Sequence, residues 1–152
     1  MITSVIYKSV VTERFDWIER MLDQIRALPL DDRDAFFADK RNLATAESCL
    51  RRALEALCDL GRHMLAKGFA RAVTEYKQIA DELGAHQVLT TDETALLRTL
   101  AGYRNRLVHF YHEVSDDELY TICARQLPDV KTIADALRRW LQAHPEKMDE
   151  TL

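Results

Sequence analysis

The chain has 152 residues and a formal net charge of −4, with 47% hydrophobic and 30% charged residues but only 4 Gly and 3 Pro. So few turn formers exclude a turn-rich β-sandwich or barrel, since Gly and Pro together usually approach ~12% of a chain. The length suits one domain with its own core, and the apolar runs stop far short of the ~18 residues a membrane-spanning helix needs. The first residues also lack the basic and then apolar blocks of a signal peptide, so the chain reads as a cytoplasmic protein. Cys49, Cys58 and Cys123 are odd in number and show no C-x-x-C spacing. They read as reduced thiols, not as a disulfide framework or a zinc site.

In residues 11–28 the apolar side chains Val11, Phe15, Ile18, Leu22 and Ile25 step by four and three, with charges between them, which predicts an amphipathic helix ending at Leu28-Pro29. Residues 29–39 read as an acidic loop. The strongest signal spans residues 41–67, where Leu43, Ala46, Leu50, Ala53, Leu57, Leu60 and Met64 keep a strict heptad spacing. A second stripe through Leu54, Cys58, Gly61 and Leu65 widens the apolar arc and predicts a central helix with neighbours on several sides, with Gly68 as its stop. Small residues at Ala46, Ala53 and Gly61 allow close helix approach.

Residues 74–83 read as a short helix closed by Gly84. Thr90 followed three residues later by Glu93 has the spacing of a capping box, and predicts a helix with Leu96, Leu97, Leu100, Tyr103, Leu107 and Val108 on its apolar face. Ser115 and Glu118 repeat the signature. From Leu119 to Leu141 the helical period runs through Pro128, where a kink or short break is expected. The polar tail from Pro145 should fray. The fold expected is all-α: an up-and-down bundle of four main helices plus a short extra one, in a single domain.

Arg104 lies four residues after Leu100 and four before Val108, which sets a guanidinium on an apolar helix face. A cation there needs a partner, a cleft or an interface. His109, five residues on, points about 140° away on an unbroken helix. The two then converge only if the helix ends between them or if two copies meet across a two-fold axis. A purely structural arginine and a surface histidine favoured by the helix dipole are the other reading of the same residues. His109 and His112 lie three apart, yet no nearby acidic residue or cysteine completes a metal site, so no metal or other cofactor is expected. Arg51-Arg52 and Arg138-Arg139 read as solvated faces. The acidic balance argues against a broad electrostatic grip on nucleic acid, so any such site must be a local basic cleft around Arg104, Arg106 and Arg98.

The run Arg104-Asn105-Arg106-Leu107-Val108-His109-Phe110-Tyr111 resembles the arginine, four residues, histidine, one residue, tyrosine motif of HEPN-domain proteins of the HepT kind. The run from Ala46 to Leu57 and the acidic capped turn leading to Leu119-Tyr120 extend the likeness over about 130 residues. The resemblance implies a homodimeric toxin that cleaves RNA without metal. It implies neutralisation by a partner nucleotidyltransferase antitoxin of the MNT type, which transfers AMP to the motif tyrosine, as in type VII toxin–antitoxin systems. Carried over, Arg104 and His109 are the catalytic pair, Asn105 a supporting residue and Tyr111 the AMPylation target. The alternative is a non-catalytic helical module that binds a nucleotide or scaffolds the nucleotidyltransferase.

The residue types fit the chemistry. RNA carries its own nucleophile in the 2′-hydroxyl, so the protein need only move protons and stabilise charge on the phosphate. An imidazole titrates near ~6.5 and suits the first task; an always-charged planar guanidinium suits the second.

Overall fold

A computed structural model describes residues 5–109 and 111–149, the side chain of Tyr111 excepted. The described residues form seven α-helices in chain order: α1 (Lys8–Arg26), α2 (Arg33–Ala38), α3 (Lys40–Phe69), α4 (Tyr76–Ala85), α5 (Thr91–His109), α6 (Asp116–Arg125) and α7 (Leu127–Ala143). Single 3-10 turns lie at Tyr111–Glu113, between α5 and α6, and at Pro145–Lys147, after α7. The four main helices expected are α1, α3, α5 and the pair α6–α7, which the chain breaks at Gln126 so that Pro128 falls in the first turn of α7. There Pro128 lacks only an N–H that the helix would not have used.

The 30-residue α3 is the axis of the bundle and packs against every other α-helix. Its two apolar stripes are both buried: Leu50, Leu54, Leu57, Leu60, Met64 and Leu65 are all at most 1% exposed. Gly61 faces α4, where an added Cβ would lie 2.9 Å from Leu83 Cδ1 and 3.1 Å from Ile79 Cγ2. The expected role of Gly61 in close approach is thus met at the α3–α4 contact.

Three local expectations are corrected. The segment 29–39 is not all loop: Asp32 caps α2 by accepting the Ala35 N–H at 3.1 Å, and Phe36 is fully buried, with Phe36 and Phe37 packed on the Tyr120 ring. Gly68 does not stop α3. Its missing side chain leaves room for Ile6, whose Cδ1 would lie 3.0 Å from a Cβ there, and the helix ends instead at Ala70 in the left-handed region (φ 53°). The tail is tied down as far as Asp149 rather than frayed from Pro145, and the rest of it lies outside the described residues. Ile6 and Met148 form an isolated parallel bridge, the Ile6 N–H donates to Lys147 O at 2.9 Å, and the Lys8 N–H donates to Asp149 Oδ1 at 2.9 Å.

All three cysteines are free and buried. Burial pushes the thiols of Cys58 and Cys123 up to about 12, which keeps both protonated and unreactive at neutral pH. Among the described residues no helix is long and apolar enough to cross a membrane.

Candidate active site

The geometry of the motif starts with how α5 is held. Its N-terminus carries the reciprocal box expected: the Glu93 N–H donates to Thr90 Oγ1 at 3.2 Å and the Thr90 N–H to Glu93 Oε1 at 2.9 Å. Leu97, Leu100 and Ala101 anchor the first half of the helix in the core. Beyond them Arg104 continues the same stripe, and its side chain is only 19% exposed. The partner that such a burial requires comes from the same chain. Arg104 donates through one terminal nitrogen to Glu55 Oε2 of α3 at 3.2 Å and rests its guanidinium 4.5 Å over the ring of Tyr76, the first residue of α4. A desolvated guanidinium gains from a carboxylate and an aromatic face together. Burial of Arg104 is thus met by partners within the chain, the first of the three alternatives the sequence left open.

Glu55 is shared, since Arg51 also donates to it at 2.7 Å. One turn further along α3, Asp59 accepts the Tyr76 hydroxyl at 3.2 Å and pairs loosely with Arg62 at 3.4 Å. Burial and the neighbouring Asp59 carboxylate push the Tyr76 phenol up to about 12, so Tyr76 acts at neutral pH as a hydroxyl donor and an aromatic surface.

A cleft of about 440 Å³ opens over this arrangement, lined by Arg62, Thr74, Glu75, Tyr76, Arg104, Asn105 and His109. The helix does not end between Arg104 and His109, yet both reach one cleft within a single chain. The angular argument omitted Asn105: it is one turn before His109 and the next residue after Arg104, so a groove around about two-fifths of the circumference of α5 touches all three. The expected basic neighbours differ from those observed. Arg106 turns away to pair with Glu118 at 2.5 and 2.8 Å, and Arg98 pairs with Asp81 at 2.6 Å. The second guanidinium of the cleft is Arg62. Arg138 and Arg139 are held by Asp135 and Glu93. Val108, expected on the apolar face, is 37% exposed.

Arg62, Tyr76, Glu55 and Asp59 were not singled out from sequence. The i, i+4, i+7 spacing of Glu55, Asp59 and Arg62 on α3 was the available signal, but only the α3–α4 and α3–α5 contacts bring that face to the motif. His112 lies in the turn after α5, and the Tyr111 side chain is outside the described residues. No group of three or more His, Cys, Asp or Glu is placed to hold a metal among the described residues.

The family profile described as "Ribonuclease HepT-like" matches residues 18–137. The chain belongs to this ribonuclease HepT-like family. Among curated proteins it is similar to the tRNA nuclease HepT of Aphanizomenon flos-aquae (strain 2012/KM1/D3), 25% identical over 112 residues, which covers 73% of this chain and 76% of that protein. Among solved structures it is similar to the cytosolic protein YutE of Bacillus subtilis, with a TM-score of 0.72 at 22% identity over 94% of this chain and 95% of that one. A tri-AMPylated Shewanella oneidensis HEPN toxin in complex with MNT antitoxin superposes with a TM-score of 0.75 at 20% identity, covering 86% of this chain and 97% of the other. The HEPN fold expected from the motif is the fold observed.

Proposed function

We propose that this HepT-like chain is a metal-independent RNA endonuclease, the toxin of a type VII toxin–antitoxin pair, silenced by AMPylation of Tyr111 by an MNT-type nucleotidyltransferase. The observation that carries this reading is the convergence of Arg104, Asn105 and His109 on one cleft, with Arg104 fixed by Glu55 and Tyr76 before any substrate arrives. A charge donor set in place beforehand need not reorganise during the reaction, which is the main source of electrostatic catalysis. The names of the A. flos-aquae nuclease and the AMPylated S. oneidensis toxin support the assignment of chemistry and partner.

The reaction balances without a cofactor. A ribose 2′-oxygen attacks the adjacent phosphorus as its proton passes to a base. The bond from phosphorus to the 5′-oxygen breaks, that oxygen takes up a proton, and a 2′,3′-cyclic phosphate remains. His109 serves one of these proton transfers and Arg104 balances the charge on the non-bridging oxygens. A homodimer supplies the second imidazole; the exposed Val108 on the same helix is an apolar contact available to such a partner.

The test is RNA cleavage by the purified chain in EDTA, with the products examined for a 2′,3′-cyclic end. Activity lost on chelation and restored by a divalent ion would overturn the mechanism. For the regulation, Tyr111→Phe should cleave RNA normally yet escape the co-expressed antitoxin, and mass spectrometry of the neutralised wild type should place the AMP on Tyr111. Full silencing of the Phe variant would favour capping by a bound antitoxin.

A further inference from the structure

The cleft holds two guanidiniums in different states. Arg104 is clamped by Glu55 and lies close on the Tyr76 ring, while Arg62 approaches the same ring from α3 at 5.4 Å. Its remaining contacts are long: 3.4 Å to Asp59 Oδ1 and 3.4 Å to Thr74 O. Arg62 is also more open than Arg104, at 39% against 19% side-chain exposure. In both residues Nε is buried with no hydrogen-bond partner among the described residues. Sharing one ring keeps the two cations within a Debye length of each other, ~10 Å at 0.1 M salt, so a polyanion in the cleft meets both at once.

The balance of nearby charge decides what the second cation is for. Among the described residues Arg51, Arg62 and Arg104 pair with Glu55 and Asp59 on α3, and the exposed Glu75 lines the cleft. Glu55 is taken up by two arginines. Asp59 divides its acceptor capacity between Arg62 and the Tyr76 hydroxyl. Arg62 is thus the cation with the weakest internal hold and the widest access.

We infer that Arg62 is a substrate-binding residue of the cleft: it leaves Asp59 to hold a backbone phosphate of the RNA strand next to the one at Arg104 and His109, while Asp59 keeps it poised when the cleft is empty. This rests on the endonuclease reading above. Arg62 moves no proton and touches no breaking bond, so its contribution lies in binding. Asp59 and Tyr76 are positioning residues that tune how readily it is released.

The experiment is steady-state cleavage of a single-stranded RNA by the dialysed full chain at several salt concentrations, with Arg98→Ala, outside the cleft, as control. Arg62→Ala should raise KM on the order of tenfold with kcat within about threefold, as expected for one charged hydrogen-bonding contact. The slope of log affinity against log salt should flatten by about 0.7, the signature of one lost contact to a single strand. Asp59→Asn, which keeps an acceptor for the Tyr76 hydroxyl but frees Arg62, should move KM the opposite way. A purely structural pair would not give opposite signs. Unchanged KM and slope in Arg62→Ala, or a loss confined to kcat, overturns the inference while leaving the endonuclease reading standing. A wild-type chain that neither binds nor cleaves RNA overturns both. Should Arg62→Ala lower the melting temperature, Arg62→Gln read for the same slope replaces it.

Discussion

The two halves of α5 belong to one unbroken helix and obey different rules. In residues 91–101 the helix is capped at its start and buries Leu97, Leu100 and Ala101, each at most 2% exposed. In residues 102–109 Leu107 is the one buried side chain; the core-facing stripe carries Arg104, and Val108 turns outward. The first half secures the backbone, and the second spends that rigidity on holding polar groups where packing alone would have put leucines. A site carried on a fixed helix is more exact than one carried on a loop. The same helix therefore supplies both the scaffold and the proposed reactive groups, and substitutions in its two halves should separate stability from activity.

That separation can be broken most sharply at the motif. Arg104→Ala and His109→Ala should each lower RNA cleavage by at least on the order of 10²–10³, the usual loss for a charge-stabilising or proton-transferring group. Their circular dichroism and melting temperature should stay near wild type. A large drop in melting temperature for Arg104→Ala would mean that its contact with Glu55 and Tyr76 is chiefly structural. In the other half, Leu100→Ala should cost about 2–4 kcal/mol in chemical denaturation, with the activity per folded molecule nearly unchanged. If kcat instead falls in the folded fraction, the halves are mechanically coupled. Thr90→Ala removes one side of the capping box and should cost about 1 kcal/mol, again without a change in kcat.

The smallest effect lies away from α5. His63 on α3 accepts the Tyr7 N–H at 3.0 Å through Nε2, which only a neutral imidazole can do. Burial, with Lys67 and Arg14 nearby and Asp149 opposing them, holds its pKa below the ordinary 6.5. A histidine with a depressed folded pKa adds stability at pH above about 6.5 and gives it up as the pH falls below that value. Thermal melts at pH 7 and pH 5 should therefore show wild type losing ground to His63→Gln on acidification. An equal shift in both proteins would remove His63 from the account.

Much of the fold could be read from local pattern. The double stripe on α3, the capping signatures at Thr90 and Ser115, and the break near Pro128 are all signals spread over a few turns of one helix. The short α2 escaped because six residues give no period to detect, and its capping Asp32 stands among other acidic residues. The clasp of Met148 on Ile6 escaped because it joins positions at opposite ends of the chain. For the site, the helical period correctly set Arg104 on the inward face. It could not name Glu55 and Arg62 of α3 or Tyr76 of α4, since none lies on α5 and the contact depends on how three helices cross.

That crossing rests on an absent side chain. Tyr76, Ile79, Ala80 and Leu83 form one stripe on α4, and Gly61 is the point on α3 against which the lower part of that stripe is pressed. The clearance there is less than one methyl group, with both opposing side chains fully buried. A methyl at position 61 must displace the end of the Leu83 side chain and shift Ile79 by a few tenths of an ångström, on the stripe that also carries Tyr76. The candidate cleft thus has a mechanical tolerance, set beside Arg62 at a position whose side chain is a single hydrogen.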